Sequence, residues 1–236
     1  MSVEALLILS LVVAGSGFVQ GAVGIGFALI MAPVFGFFDP GLLPVTLLIL
    51  MLPLNLLVAW RERAAIDRPG AGWITLGRFF GTFLGMAVLV ALSVRQLEIA
   101  VGLLTILAAA VALLSPPFDP NRGAALGVGL FTGVTETATG IGGPPLALLY
   151  QHAPGPVLRA TVATCFLVGE LISLLILLIV GRVSTHQLAA ALWLMPAVLI
   201  GTALSRCVHG RINGPGLRLA VLLFSIVSGA ALILKG

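Results

Sequence analysis

Gly21-Ala22-Val23-Gly24-Ile25-Gly26-Phe27 and Thr137-Ala138-Thr139-Gly140-Ile141-Gly142-Gly143-Pro144-Pro145 are two glycine-rich stretches, each set in an apolar run, and they read as copies of one another. Glycine and proline are poor helix residues, so the backbone is expected to break at both places. In lipid, irregular backbone is tolerated only where it is buried in protein or lines a cavity. Paired interruptions at corresponding points of two halves point to the binding site of a transporter.

Composition places these stretches in a membrane. Of 236 residues, 60% are hydrophobic and 8% charged, with a mean hydropathy of +1.21, whereas a soluble domain carries about 25% charged residues. Long Leu/Ile/Val/Ala runs between short polar loops specify helices and not the alternating strands of a barrel, so the fold class is all-α integral membrane. The net charge of +4 comes from basic residues scattered among loops, the pattern of membrane orientation, so membrane lipid is expected around the chain and no nucleic acid. Glu4 stands where a signal peptide would carry Lys or Arg, and 5–20 reads as a retained segment. Cys165, Cys207, His152, His186 and His209 are scattered, which supports neither a disulfide nor a metal site, and no cofactor is implied.

Outward from the first motif, the runs are 5–20, Phe27–Phe38, Leu42–Trp60, 70–92 and 96–114, and after the second motif's arms (Ala124–Thr139, Pro144–His152) they are Leu158–Val180, Gln187–Ser205 and Gly216–Leu234. Adding 116 carries Gly24-Ile25-Gly26 onto Gly140-Ile141-Gly142, and adding 120 carries Gly81-Thr82 onto Gly201-Thr202. The order is therefore repeated: a first repeat over 1–114, a linker over 115–122 holding three prolines, and a second repeat over 123–236. With about eight hydrophobic segments, three full crossings and one re-entrant glycine-tipped hairpin per half give two inverted repeats. The arm Pro144–His152, at about 14 Å of helix, cannot cross a core of about 30 Å. Such hairpins leave Arg61, Arg63, Arg68, Arg122, Arg159, Arg206, Arg211 and Arg218 on one face and Arg95, Arg182 and Lys235 on the other, which places both termini outside the cytoplasm.

At each tip a returning helix would present unpaired N–H groups, and two such N-termini meeting at the midplane would form an anion site. Gly24, Gly26, Gly140, Gly142 and Gly143 are its backbone candidates, with Gln20, Thr137 and Thr139 beside them. Glycines at these spacings also serve close helix packing alone. Glu136, which Gln20 matches by the 116 offset, is a carboxylate at depth and must be protonated, paired or a cation ligand. Glu170 lies mid-helix too, and both are candidates for proton coupling. Arg78, also mid-helix, either grips a carboxylate, sulfonate or phosphate through two hydrogen bonds or pairs with Glu170 or Glu136. Asn55, beside Pro53, reads as a helix–helix hydrogen bond.

On Gly21-Ala22-Val23-Gly24-Ile25-Gly26-Phe27-Ala28-Leu29-Ile30-Met31-Ala32-Pro33 and Gly133-Val134-Thr135-Glu136-Thr137-Ala138-Thr139-Gly140-Ile141-Gly142-Gly143-Pro144-Pro145, the sequence resembles the sulfite exporter TauE/SafE family. The resemblance implies a small bacterial anion transporter of the inner membrane, with about eight hydrophobic segments in two related halves and sulfite, sulfonates or organic anions as substrates. The first motif carries Phe27 and the second Pro144 where a further glycine is common in that family.

The resulting expectation is a secondary transporter exporting a small sulfur-containing or organic anion, sulfite or an organosulfonate, with proton coupling through Glu136 or Glu170. A passive anion channel using the same tips is the alternative, and the reading admits a homodimer. No Gly-x-x-x-x-Gly-Lys-Ser/Thr loop, His-Glu-x-x-His or Gly-x-Ser-x-Gly occurs, so neither ATP hydrolysis nor an intramembrane enzyme is expected.

Overall fold

A computed structural model describes residues 3–114, 121–150, 152–208 and 215–235. Most of the expected linker, His209 and Arg211 lie outside the described residues.

Among the described residues ten α-helices run in order: α1 Val3–Val23, α2 Phe27–Phe38, α3 Val45–Arg61, α4 Arg68–Ala91, α5 Val94–Leu114, α6 Arg122–Thr139, α7 Gly143–Leu149, α8 Gly155–Ile179, α9 Thr185–Val208 and α10 Pro215–Leu234. Local chemistry sets their ends. Asp67 accepts from Gly70 N–H at 3.2 Å and opens α4 ahead of Pro69. Asn121 does the same for α6, accepting from Ala124 N–H at 2.8 Å. Leu42 does not begin a spanning helix as expected. It ends a short 3-10 turn, Pro40–Leu42, capped by Asp39, and α3 starts only at Val45, after Pro44.

The two glycine stretches break the chain in the same way. Gly24 N–H donates to Gln20 C=O, and Gly140 N–H to Glu136 C=O, both at 2.7 Å, with φ of 95° and 83°. Only glycine adopts this left-handed closure without strain, and it ends α1 and α6 at matching residues.

Among the described residues, five helices are long and apolar enough to cross a membrane: Leu6–Val23, Arg68–Ala91, Val94–Val111, Gly155–Ile179 and Thr185–Cys207. Phe27–Phe38, Val45–Arg61 and Leu222–Leu234 are shorter apolar helices. At 1.5 Å per residue, α2 is about 18 Å and α7 about 10 Å long, both short of a core about 30 Å thick. α1 is about 32 Å, so the leading arm of the first hairpin has the length of a full crossing.

Helices far apart in the chain pair: α4 on α6, α1 on α9, α3 on α8 and α5 on α10. The short helices α2 and α7 pack on α10 and α5, respectively. Glycines let the closest pairs touch backbone to backbone. A Cβ on Gly81 would overlap the Leu130 carbonyl of α6, and one on Gly201 the Ala14 carbonyl of α1. Gly81 and Gly201 are the residues related by the 120 offset, and both sit against the backbone of a neighbouring helix.

The bundle is apolar outside and polar at its centre. Leu11, Phe80, Ile179, Leu192 and Trp193 are exposed, whereas Gln20, Asn55, Arg78, Glu136, Glu170 and Ser173 are buried. This is the distribution of a multi-pass membrane protein, whose ionisable groups face the bundle interior.

Candidate functional site

Six helices bring polar residues to the centre. At the first tip, Phe27 N–H at the start of α2 donates to Gln20 Oε1 at 3.0 Å. Gln20 Nε2 donates to Asn55 Oδ1 at 3.0 Å, and Asn55 Nδ2 to Glu170 Oε1 at 2.7 Å. Arg78 forms an ion pair with Glu136 through Nη2 and Oε2, and the charges of both act on Glu170. Its guanidinium also lies 5.3 Å from the centre of the Phe166 ring. The ion pair lies at the second tip, because a Cβ on Gly142 would sit 2.7 Å from Glu136 Oε2.

The chemistry of this centre is unsaturated. Arg78, Glu136 and Glu170 are each 0% exposed. Yet Arg78 Nε, Nη1 and Nη2, both Glu136 oxygens, Glu170 Oε2 and Thr132 Oγ1 have no well-aligned hydrogen-bond partner. Buried polar groups in folded proteins are ordinarily satisfied, and groups that are not mark a functional or ligand-dependent place. A guanidinium with donors to spare beside two carboxylates can hold a planar or tetrahedral oxyanion, and the carboxylates can carry protons.

Gln20 and Glu170 are thus linked through Asn55, and Arg78 and Glu136 through their ion pair. The pair Arg78–Glu136 is one of the two the sequence left open, and Glu170 is instead bonded to Asn55. Thr137 Oγ1 shares a hydrogen bond of 2.8 Å with Ser173 Oγ of α8. Thr139 is spent on the break itself, donating to Thr135 C=O at 2.7 Å and accepting from Ile141 N–H at 3.3 Å. The tips meet: a Cβ on Gly143 would be 3.9 Å from Ile25 Cγ2 and 3.8 Å from Phe166. Gly26, with φ of 130°, precedes α2, while Gly24 lies beside Arg159 and Gly140 beside Leu47, away from the guanidinium.

The backbone contribution is smaller than two converging helix ends suggest. The first N–H of α2 already serves Gln20, and α7 has only seven residues. Arg78 is the main positive group. Asn55, Thr132, Phe166, Gly169 and Ser173 also belong to the centre; a Cβ on Gly169 would overlap the guanidinium. Asn55, an amide in the apolar run Leu47–Ala59, was the visible signal for this second layer. Thr132 stood out as well, as one of the polar residues crowded before the second tip, whereas Phe166, Gly169 and Ser173 resemble ordinary helix residues in sequence.

Toward one mouth, Arg159 donates from Nε and Nη2 to Glu62 at 3.0–3.2 Å, and Tyr150 OH donates to Asp67 at 2.8 Å. Burial and the Asp67 carboxylate hold the Tyr150 hydroxyl well above the usual phenol range. A pocket of about 370 Å³ lined by Asp67, Trp73, Arg122 and Tyr150 opens here. Elsewhere Asp39 meets His186 at 2.7 Å, and Gln187 donates to Gly41 C=O at 2.9 Å. Among the described residues there is no cluster of three His, Cys, Asp or Glu able to hold a metal ion.

Comparison with known proteins finds no match among curated sequences and none among solved structures. The model of the family described as sulfite exporter TauE/SafE matches residues 7–232. That span takes in both glycine breaks and every residue of the polar centre, and the protein belongs to the sulfite exporter TauE/SafE family.

Proposed function

We propose that the protein is a secondary transporter that exports a small sulfur-containing or organic anion, sulfite or an organosulfonate, with Arg78 as the anion's principal ligand and Glu136 and Glu170 as proton carriers. The observation that carries this reading is the Arg78 guanidinium: sealed at the centre of the bundle, paired with Glu136, with nitrogen donors left over. Family membership supplies the substrate class.

The scaffold in this proposal is two inverted repeats in a bacterial inner membrane, each opening with a re-entrant hairpin, with both termini extracytoplasmic. The matched breaks, the exchanged helix pairings and the shortness of α2 and α7 support it, as does the split of basic residues between the two faces. The length of α1 allows its tip to reach deeper than that of α6.

Thermal stabilisation of the purified protein by sulfite, sulfate, thiosulfate, taurine, isethionate and carboxylate controls tests the reading. Binding at a hundredfold excess over the dissociation constant stabilises by about 2.7 kcal/mol. Sulfite or a sulfonate is expected to raise the melting temperature of the wild type and not of Arg78→Met. Stabilisation of both proteins alike removes Arg78 from the site.

A further inference from the structure

Arg78 is held in this structure by a side chain of the protein itself. Glu136 Oε2 against Arg78 Nη2 takes a position on the guanidinium that an oxygen of sulfite or a sulfonate would take. Glu136 and an anion are therefore rivals for one cation. Placing an anion on Arg78 while Glu136 stays ionised would strand a bare carboxylate in the sealed centre, which desolvation forbids.

Resting on the reading of Arg78 as the anion's ligand, we propose that Glu136 occupies the anion's place and yields it only on taking up a proton, so that one proton binds with each anion and the two cross the membrane in the same direction. In the loading step the Arg78 N–H groups pass from Glu136 Oε2 to an oxygen of the anion, and a proton from solvent forms an O–H bond on Glu136. No electrons are transferred. For a monoanion the charge of the centre is unchanged, because guanidinium plus anion replaces guanidinium plus carboxylate.

Glu136 is better suited to this exchange than Glu170. Glu170 Oε1 accepts from Asn55, which is anchored through Gln20 to the first tip. Apart from Arg78, no donor reaches either Glu136 oxygen, so that ion pair alone holds the carboxylate. Thr132 Oγ1, one turn earlier on α6 and itself without a partner, can accept the O–H of the neutral acid. Arg78 from α4 and Glu170 and Cys165 from α8 are the charged and titratable groups facing Glu136. α7 carries none, and on α5 Arg95 and Glu98 pair with each other, with Glu98 also near Lys235.

The test compares sulfite affinity of the full-length wild type and Glu136→Gln across a pH series. Sulfite's own titration is common to both proteins and cancels in the ratio. Glu136→Gln is expected to bind more tightly at alkaline pH, with the ratio of dissociation constants falling about tenfold per pH unit until the two converge on the acid side. A ratio independent of pH overturns the exchange. Should the variant not fold, the wild type decides alone: sulfite should produce an infrared difference spectrum with a gained protonated-carboxyl band and a lost carboxylate band. No such gain overturns the proposal. Arg78→Met separates the two levels: loss of sulfite binding in it, with a pH-independent wild-type ratio, rejects the exchange and keeps the anion site. Sulfite binding unchanged in Arg78→Met, or absent from every form, rejects both.

Discussion

A guanidinium keeps its charge at any reachable pH, so at full burial Arg78 requires a counter-charge, and Glu136 supplies it. Arg78→Met leaves that carboxylate alone in the centre and is expected to lower unfolding stability by about 3–5 kcal/mol. The double variant Arg78→Met, Glu136→Gln should recover most of the loss, since a neutral amide needs no counter-charge. Recovery with Glu170→Gln in place of Glu136→Gln would contradict the pairing. Arg78→Lys keeps the charge and removes the planar grip, so the fold should survive while anion affinity falls by about 1–3 kcal/mol, read by titration of the purified protein.

At the scale of elements, the α6–α7 break combines a backbone need at Gly140 with a space need at Gly142. Gly142 faces the Glu136 carboxylate and Thr132 Cγ2, each 2.7 Å from a Cβ built there, whereas the neighbours of Gly143 stand at ordinary contact distance. Gly142→Val should therefore displace Glu136, abolish anion binding and cost about 1–3 kcal/mol by overpacking. Gly143→Ala should remain close to wild type in both melting temperature and binding. Equal damage from the two substitutions would mean that the break tolerates no side chain at all, and that contact with Glu136 is not what selects glycine at 142.

For the whole molecule, the proposed orientation rests on the distribution of arginines. The 3-10 turn Arg63–Ala65 between α3 and α4 lies among the basic loops, and Ala64 on it is exposed. In a background lacking Cys165 and Cys207, a cysteine at Ala64 should resist an impermeant thiol reagent added to intact cells and react once the membrane is opened. Reaction in intact cells would reverse the proposed topology and place the termini in the cytoplasm.

Much of the architecture is a local property and was legible without coordinates. Hydrophobic runs longer than a bilayer is thick make helices wherever they fall, and glycine at positions 24 and 140 ends them through a left-handed turn that depends on only a few neighbours. The 116 offset even paired Gln20 with Glu136, whose carbonyls close the two turns identically. Tertiary structure alone decided that α4 packs on α6 and α1 on α9, because that choice depends on which glycine-lined faces fit at backbone distance. It also decided that Arg78 pairs with Glu136 and Asn55 with Glu170. These partners come from different helices, and an ion pair is selected by the rotation and depth at which those helices meet, which no run of neighbouring residues encodes.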